Sequence, residues 1–170
     1  MLSREVLIEA FSRIRAVVHF ALQEASLEVL TYRADPEANT IGWLVWHLTR
    51  VQDDHIADLV GEEQLWNADG WVDRFDLPFG QGATGYGQSA EDVEGVRADA
   101  ELLGLYYDAV HARTIDYLGT LGDADLVRIV DSSWDPPVTL AVRLVSILSD
   151  DLQHAGQASY VRGLAKRAGL

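Results

Sequence analysis

The sequence predicts an all-α protein, an antiparallel four-helix bundle, and three observations carry that expectation. Apolar residues recur at three- and four-residue steps in four long segments, the spacing that gives a helix one apolar face. The breakers fall between those segments: Pro36, the glycine-rich stretch from Gly61 to Gln88, and Asp135-Pro136-Pro137. A length of 170 residues, 48% of them hydrophobic, suits one domain (1–170) around one core.

In the first segment, Val6, Leu7, Ala10, Phe11, Ile14, Val17, Val18, Ala21 and Leu22 form a stripe, with Ser3 as a candidate cap and an expected end near Ala25. His19 sits beside that stripe and reads as a surface or satisfied boundary histidine. Residues 32–39 read as a loop, because Pro36 disfavours helix at Asp35, and Asn39 or Thr40 can cap a second helix running to Val60. At 100° per residue that helix places Thr40, Trp43, Leu44, His47, Val51 and Asp54 along one face, so His47 points inward. Asp54 is about 10 Å from His47 along the axis, too far to share an ion with it but able to line the same cavity. Asp53-Asp54-His55 reads in part as a solvated polar end.

From Gly61 to Gln88 the periodicity stops, while Trp66, Trp71, Phe75, Phe79 and Tyr86 appear among the glycines. A long loop carrying five aromatics is expected to fold back on the bundle as a lid or a plain cover. Its glycines match no phosphate-cradling spacing. Ser89-Ala90-Glu91-Asp92 is a capping box that starts a helical turn, and the pattern resumes from Leu102 to about Leu121, where Gly122 stops the third helix. His111 on this helix reads as structural, for want of an acidic or imidazole residue three or four positions after it. Leu126 to Val130 looks extended but has no sheet to join. The fourth helix is expected from about Val138 to Arg167.

Thirteen Lys and Arg against 27 Asp and Glu give a formal charge of −14, which repels phosphate backbones and anionic lipid, so neither nucleic acid nor membrane is an expected partner. The absence of cysteine excludes disulfides, a thiolate metal site and a protein thiol nucleophile. The N-terminus lacks a signal-like apolar run, and a cytoplasmic protein is expected.

On the fourth helix the inner stripe turns polar. Asp150, His154 and Gln157 follow Ile147 at steps of three and four, and Asp150 and His154 stand one turn apart on one face. Burying a carboxylate and an imidazole requires a hydrogen-bonded pair or a metal. His47 on the facing helix adds a third group, and the three together favour a divalent ion with an open coordination position. Asp151, three residues before His154, is a fallback ligand.

With His47, Asp150 and His154 so placed, the chain resembles the DinB-like, YfiT-like metalloenzyme superfamily. Within it the likeness is to the mycothiol-dependent maleylpyruvate isomerase and mycothiol transferase branch. It is clearest in Ile41 to His55, in Ala68-Asp69-Gly70-Trp71 through Leu77-Pro78-Phe79, in Thr84-Gly85-Tyr86-Gly87 and in Asp150 to Gln157. Many relatives carry His-x-x-x-His before Gly-Gln on the last helix; the isomerase branch has an acidic residue first. Here that residue is Asp150 where the branch usually has Glu, one methylene longer. The resemblance implies that His47, Asp150 and His154 bind the metal, zinc first, with nickel, iron or manganese also acceptable to a His₂-carboxylate set. It implies mycothiol as thiol co-substrate in an S-transfer or isomerisation on a small electrophile. Trp66 and Trp71 are candidates for the cavity mouth, and Arg50 and Asp54 for orienting a polar substrate group. A homodimer is a further expectation. The alternative is a non-catalytic bundle that binds a metal or small molecule, or whose polar groups fix helix register.

Overall fold

The computed structural model describes residues 2–170. Four long helices form the bundle: α1 (Ser3–Leu22), α3 (Ile41–Val60), α7 (Ala100–Thr120) and α8 (Leu140–Arg167). A one-turn helix α2 (Leu27–Leu30), capped by Ser26, lies between the first two, and three short helices sit in the crossover that follows α3: α4 (Leu65–Ala68), α5 (Trp71–Phe75) and α6 (Ala90–Gly95).

Each of α1 and α3 packs on both α7 and α8. Arg4 reaches the Leu121 carbonyl while Arg15 pairs with Asp108, so α1 runs antiparallel to α7. His47 faces His154 and His55 meets Arg143, so α3 runs antiparallel to α8. Gly42 lies against the Val96 carbonyl just before α7, whereas Gln52 bonds Thr114 farther along it, so α3 and α7 run in the same direction. Two adjacent helices with a common direction need a connection that travels back along the bundle, and this is the mechanical reason for the long segment between them.

The crossover lies on α3 through one stripe of that helix. Asp53 accepts the backbone N–H groups of Leu65 (3.0 Å) and Trp66 (2.8 Å). Arg50 donates to Ala83 O (3.2 Å) and Gln64 Oε1 (2.7 Å), His47 bonds Thr84 O, and Trp43 Nε1 donates to Gln88 Oε1 (2.6 Å). Steps of three and four residues put these side chains on one face. With α7, α8 and the crossover all against it, α3 is buried without interruption from Ile41 to Asp53, as befits a helix packed on every side.

Local details correct several expectations. Leu2, not Ser3, occupies the N-cap of α1, with Glu5 accepting its N–H, and the helix ends at Leu22 rather than Ala25 because Gln23 already leaves helical geometry. Thr40 rather than Asn39 caps α3 by accepting Trp43 N–H. Ser89 and Asp92 form the expected capping box on α6. Asp99 then caps α7, which ends at Thr120, and a 3₁₀ turn follows from Asp123 to Val127. The extended piece does find a partner. Ile129–Asp131 (β1) pairs antiparallel with Val138–Thr139 (β2) across the Asp135-Pro136-Pro137 turn, and α8 therefore starts at Leu140 with Thr139 as its cap. No helix among the described residues is long and apolar enough to cross a membrane.

Asp53 is the most consequential correction. It was expected at a solvated polar end, yet it is fully buried. It also accepts Tyr106 Oη–H at 2.8 Å and has Arg50 and Arg113 at 3.8 and 3.9 Å. Removing one member of such a buried charged set leaves its partners uncompensated. Asp53→Ala is expected to lower the unfolding free energy by about 3–5 kcal/mol, measured by urea denaturation.

Candidate metal centre

His47 is placed by the cap and apolar stripe of α3, and Asp150 and His154 by the middle of α8. One ligand-type atom from each of these three residues lies within 4.8 Å of the others. His154 Nε2 is 3.6 Å from Asp150 Oδ1, beyond hydrogen-bond distance. The His47 and His154 rings meet edge to face at 4.8 Å.

Both rings are oriented from behind. Thr84 O accepts from His47 Nδ1–H, and Gln157 Oε1, 2.8 Å away, accepts from His154 Nδ1–H. This leaves each Nε2 with its lone pair on the inner side, the tautomer a metal ligand requires. The ring of Trp43 stacks on His47 at 4.6 Å and Tyr86 meets it edge-on at 5.4 Å. Burial pushes the His47 pKa down, only partly offset by the Thr84 carbonyl, so this ring is neutral and ready to coordinate. The neighbouring Asp150 carboxylate raises the His154 pKa against the opposite pull of burial.

The cluster fits a divalent cation. Asp150 Oδ2 is sealed from solvent with no hydrogen-bond partner, an expensive state for a carboxylate oxygen that a cation would relieve. Two imidazoles and a carboxylate are a common catalytic donor set. Donors sharing one ion at bonds of about 2 Å lie within about 4 Å of each other, so this set needs only small side-chain adjustments.

The other candidates lie elsewhere. Asp151 is outside the cluster: it is fully buried, neither oxygen has a partner, and burial with the nearby Asp150 charge pushes its pKa well above the carboxylate range. Trp66 and Trp71 are buried core residues packed on Tyr106, and Trp66 also lines a small cleft with Trp46 and Phe79. Arg50 is almost fully buried and occupied by Gln64, Ala83 and the face of Trp66, while Asp54 accepts Gln64 Nε2 at 2.6 Å. Arg50 and Asp54 thus hold the crossover in place. His19 bonds Asp108 at 2.8 Å, a satisfied boundary histidine, and His111 is buried against Tyr107.

Thr84 and Gly85 were absent from the predicted site. A Cβ on Gly85 would stand 2.3 Å from His47 Nδ1, and its φ of +109° is one that side chains rarely adopt. Glycine is what lets the crossover backbone close on the ring. The sequence signal is Gly85 itself, inside a Thr-Gly-Tyr-Gly run whose spacing excluded a phosphate loop but left this close approach open.

A family model for the DinB superfamily matches residues 10–158. The chain belongs to the DinB superfamily. Members of this superfamily generally bind metal, and here the cluster of His47, Asp150 and His154 is a potential site. The crystal structure of a conserved protein from Enterococcus faecalis is similar to this DinB chain, with a TM-score of 0.89 and 29% identity over 95% of this chain and 96% of that one. No curated protein matches the sequence.

Two substitutions test how the rings are held. Gly85→Ala should displace His47 or the crossover and weaken zinc binding at least tenfold, and Gln157→Leu, which removes the acceptor for His154 Nδ1–H, should weaken it about 10- to 100-fold. Competition titration with a chromogenic chelator measures both, and circular dichroism should remain that of the wild type.

Proposed function

We propose that this DinB protein is a metal-dependent thiol transferase or isomerase, in which His47, Asp150 and His154 hold one divalent ion and an external small thiol attacks an electrophile. The observation that carries the reading is the convergence of three donors from two facing helices, both rings turned by Thr84 and Gln157 to present Nε2, in a chain with no cysteine of its own. A divalent ion supplies Lewis acidity that lowers the pKa of a thiol, so that it reacts as a thiolate near neutral pH. Zinc is the first candidate, and nickel, iron and manganese suit the same donors.

The protein's own contribution is positional. Burial favours the neutral form of His47, with Trp43 stacked on its ring and Tyr86 meeting it edge-on. Asp150 supplies the negative charge that offsets a cation, and Gln157 keeps the His154 proton on Nδ1. Two clefts have Asp150 or Gln157 in their walls. One, of about 580 Å³, is lined by Leu44, Gly156, Gln157 and Tyr160; the other, of about 410 Å³, includes Asp150 and Gln153. Mycothiol is the thiol implied by the resemblance of the His47, Asp150 and His154 positions to the mycothiol-dependent branch. A non-catalytic metal-binding bundle is the competing reading, favoured by the Asp150–His154 pair, which partly satisfies itself without an ion.

Turnover of an electrophile with mycothiol, lost on chelation and restored by zinc, supports the transferase or isomerase; stoichiometric metal without thiol-dependent turnover supports the binding bundle. His154→Ala should abolish both stoichiometric metal and activity with near-native helicity, and Asp150→Glu should retain more metal than Asp150→Ala because it keeps the charge and the ligand atom. Inductively coupled plasma analysis of tag-free, zinc-reloaded protein reads these outcomes. Wild-type metal content in the His154→Ala and Asp150→Ala variants, or none in the wild type, would falsify the site.

A further inference from the structure

The cleft of about 410 Å³ beside Asp150 contains a histidine that the metal cluster does not use. Val51, Val145 and the ring of Tyr86 give it apolar walls, and His55 and Ser146 give it polar atoms. Clefts of this size accept small organic molecules.

His55 has its donor and acceptor roles fixed. Arg143 Nη1 lies 3.1 Å from His55 Nδ1, and a guanidinium has N–H donors and no acceptor. Nδ1 therefore accepts, and in the neutral ring the proton is on Nε2. Arg143 is itself held by Asp131 on β1 at 3.2 Å. Burial, reinforced by the Arg143 charge, keeps the His55 pKa below its ordinary value, so the ring is neutral. Nε2 makes no hydrogen bond to any described residue and is not among the buried atoms sealed from solvent. A ring bonded to a cation through one nitrogen is a poor base and a poor fourth ligand, but its remaining N–H is a strong donor to oxygen. The Asp150 carboxylate is part of the same lining, and the nearest cation, Arg143, is taken up by Asp131 at 3.2 Å and lies 3.9 Å from Asp58, so the cleft disfavours an anionic ligand.

We propose that this cleft is the electrophile subsite, and that it takes a neutral carbonyl compound whose oxygen accepts from His55 Nε2–H and whose hydrocarbon part rests on Val51, Val145 and Tyr86. The assignment rests on the thiol-transfer reading of the metal centre and names the other substrate's chemistry. As a thiolate adds to the carbonyl carbon, the S–C bond forms and the C=O π pair moves onto oxygen, where the His55 N–H remains as donor while the oxygen takes back, through solvent, the proton that the thiol gave up. In this role His55 touches substrate, and Arg143 acts through it as a positioning residue.

The test uses zinc-loaded, ¹⁵N-labelled full-length protein and three probes of similar shape: acetophenone, benzoate and ethylbenzene. Long-range ¹H–¹⁵N spectra of the histidine rings should show a saturable shift of His55 Nε2 with acetophenone and none at His19. His55→Phe should weaken acetophenone binding about fivefold or more, the effect of one lost hydrogen bond, with ethylbenzene binding changed less than twofold. His55→Gln, which keeps an N–H donor, should recover most of the affinity, and benzoate should bind more weakly than acetophenone. An unmoved His55 resonance, equal acetophenone affinity in His55→Phe, or tighter binding of benzoate overturns the proposal. The metal-free protein titrated in parallel separates the two claims. Ketone binding at His55 without thiol-dependent turnover refutes the reaction and keeps the subsite, whereas turnover with an unperturbed His55 refutes the subsite and keeps the reaction.

Discussion

The buried carboxylate of Asp53 is the contact on which the architecture around His47 depends. It joins α3 to the start of α4 through two backbone N–H groups and to α7 through Tyr106, with Arg50 and Arg113 balancing its charge. A charge with this many donors is stable in the interior, and its geometry fixes where the crossover leaves α3. Once that point is set, Arg50, His47 and Trp43 take the returning chain in turn along the same stripe. The crossover thus reaches the candidate metal site as part of the packed structure, and the Thr84 carbonyl arrives at His47 Nδ1 by the same route.

This arrangement resolves the choice between a lid and a cover for the aromatic segment. Trp66, Trp71 and Phe75 are buried with Tyr106, and they anchor the part of the crossover farther from His47. Tyr86 is largely exposed and stands at the His47 ring and the smaller cleft. One segment therefore divides its labour: its tryptophans build core, and its Thr84-Gly85-Tyr86 tip shapes the centre.

Much of this was legible in the sequence, for identifiable reasons. The four long helices show in apolar periodicity because each buries one stripe, and His47, Asp150 and His154 stand out because polar residues interrupt those stripes. Asp53 was misread because Asp54 and His55 follow it, and three polar residues in a row resemble a solvated end; Arg50 one turn earlier was the available counter-signal. The two-stranded ribbon escaped because Val138–Thr139 is too short to announce a strand. Thr84 acts through its backbone carbonyl, which every residue possesses, so side-chain chemistry could not reveal it.

The clamp on His47 links coordination to the docking of the crossover. With Thr84 O seated on Nδ1–H, the proton is confined to the outer nitrogen and the inner one is a better electron donor. If the tip lifts, the ring becomes free to change tautomer and to turn from its partners on α8. An ion held here would then have a residence time governed by how often the Thr84–Gly85 backbone undocks, so exchange of metal with solution reports a motion of the peptide chain as well as the strength of three bonds.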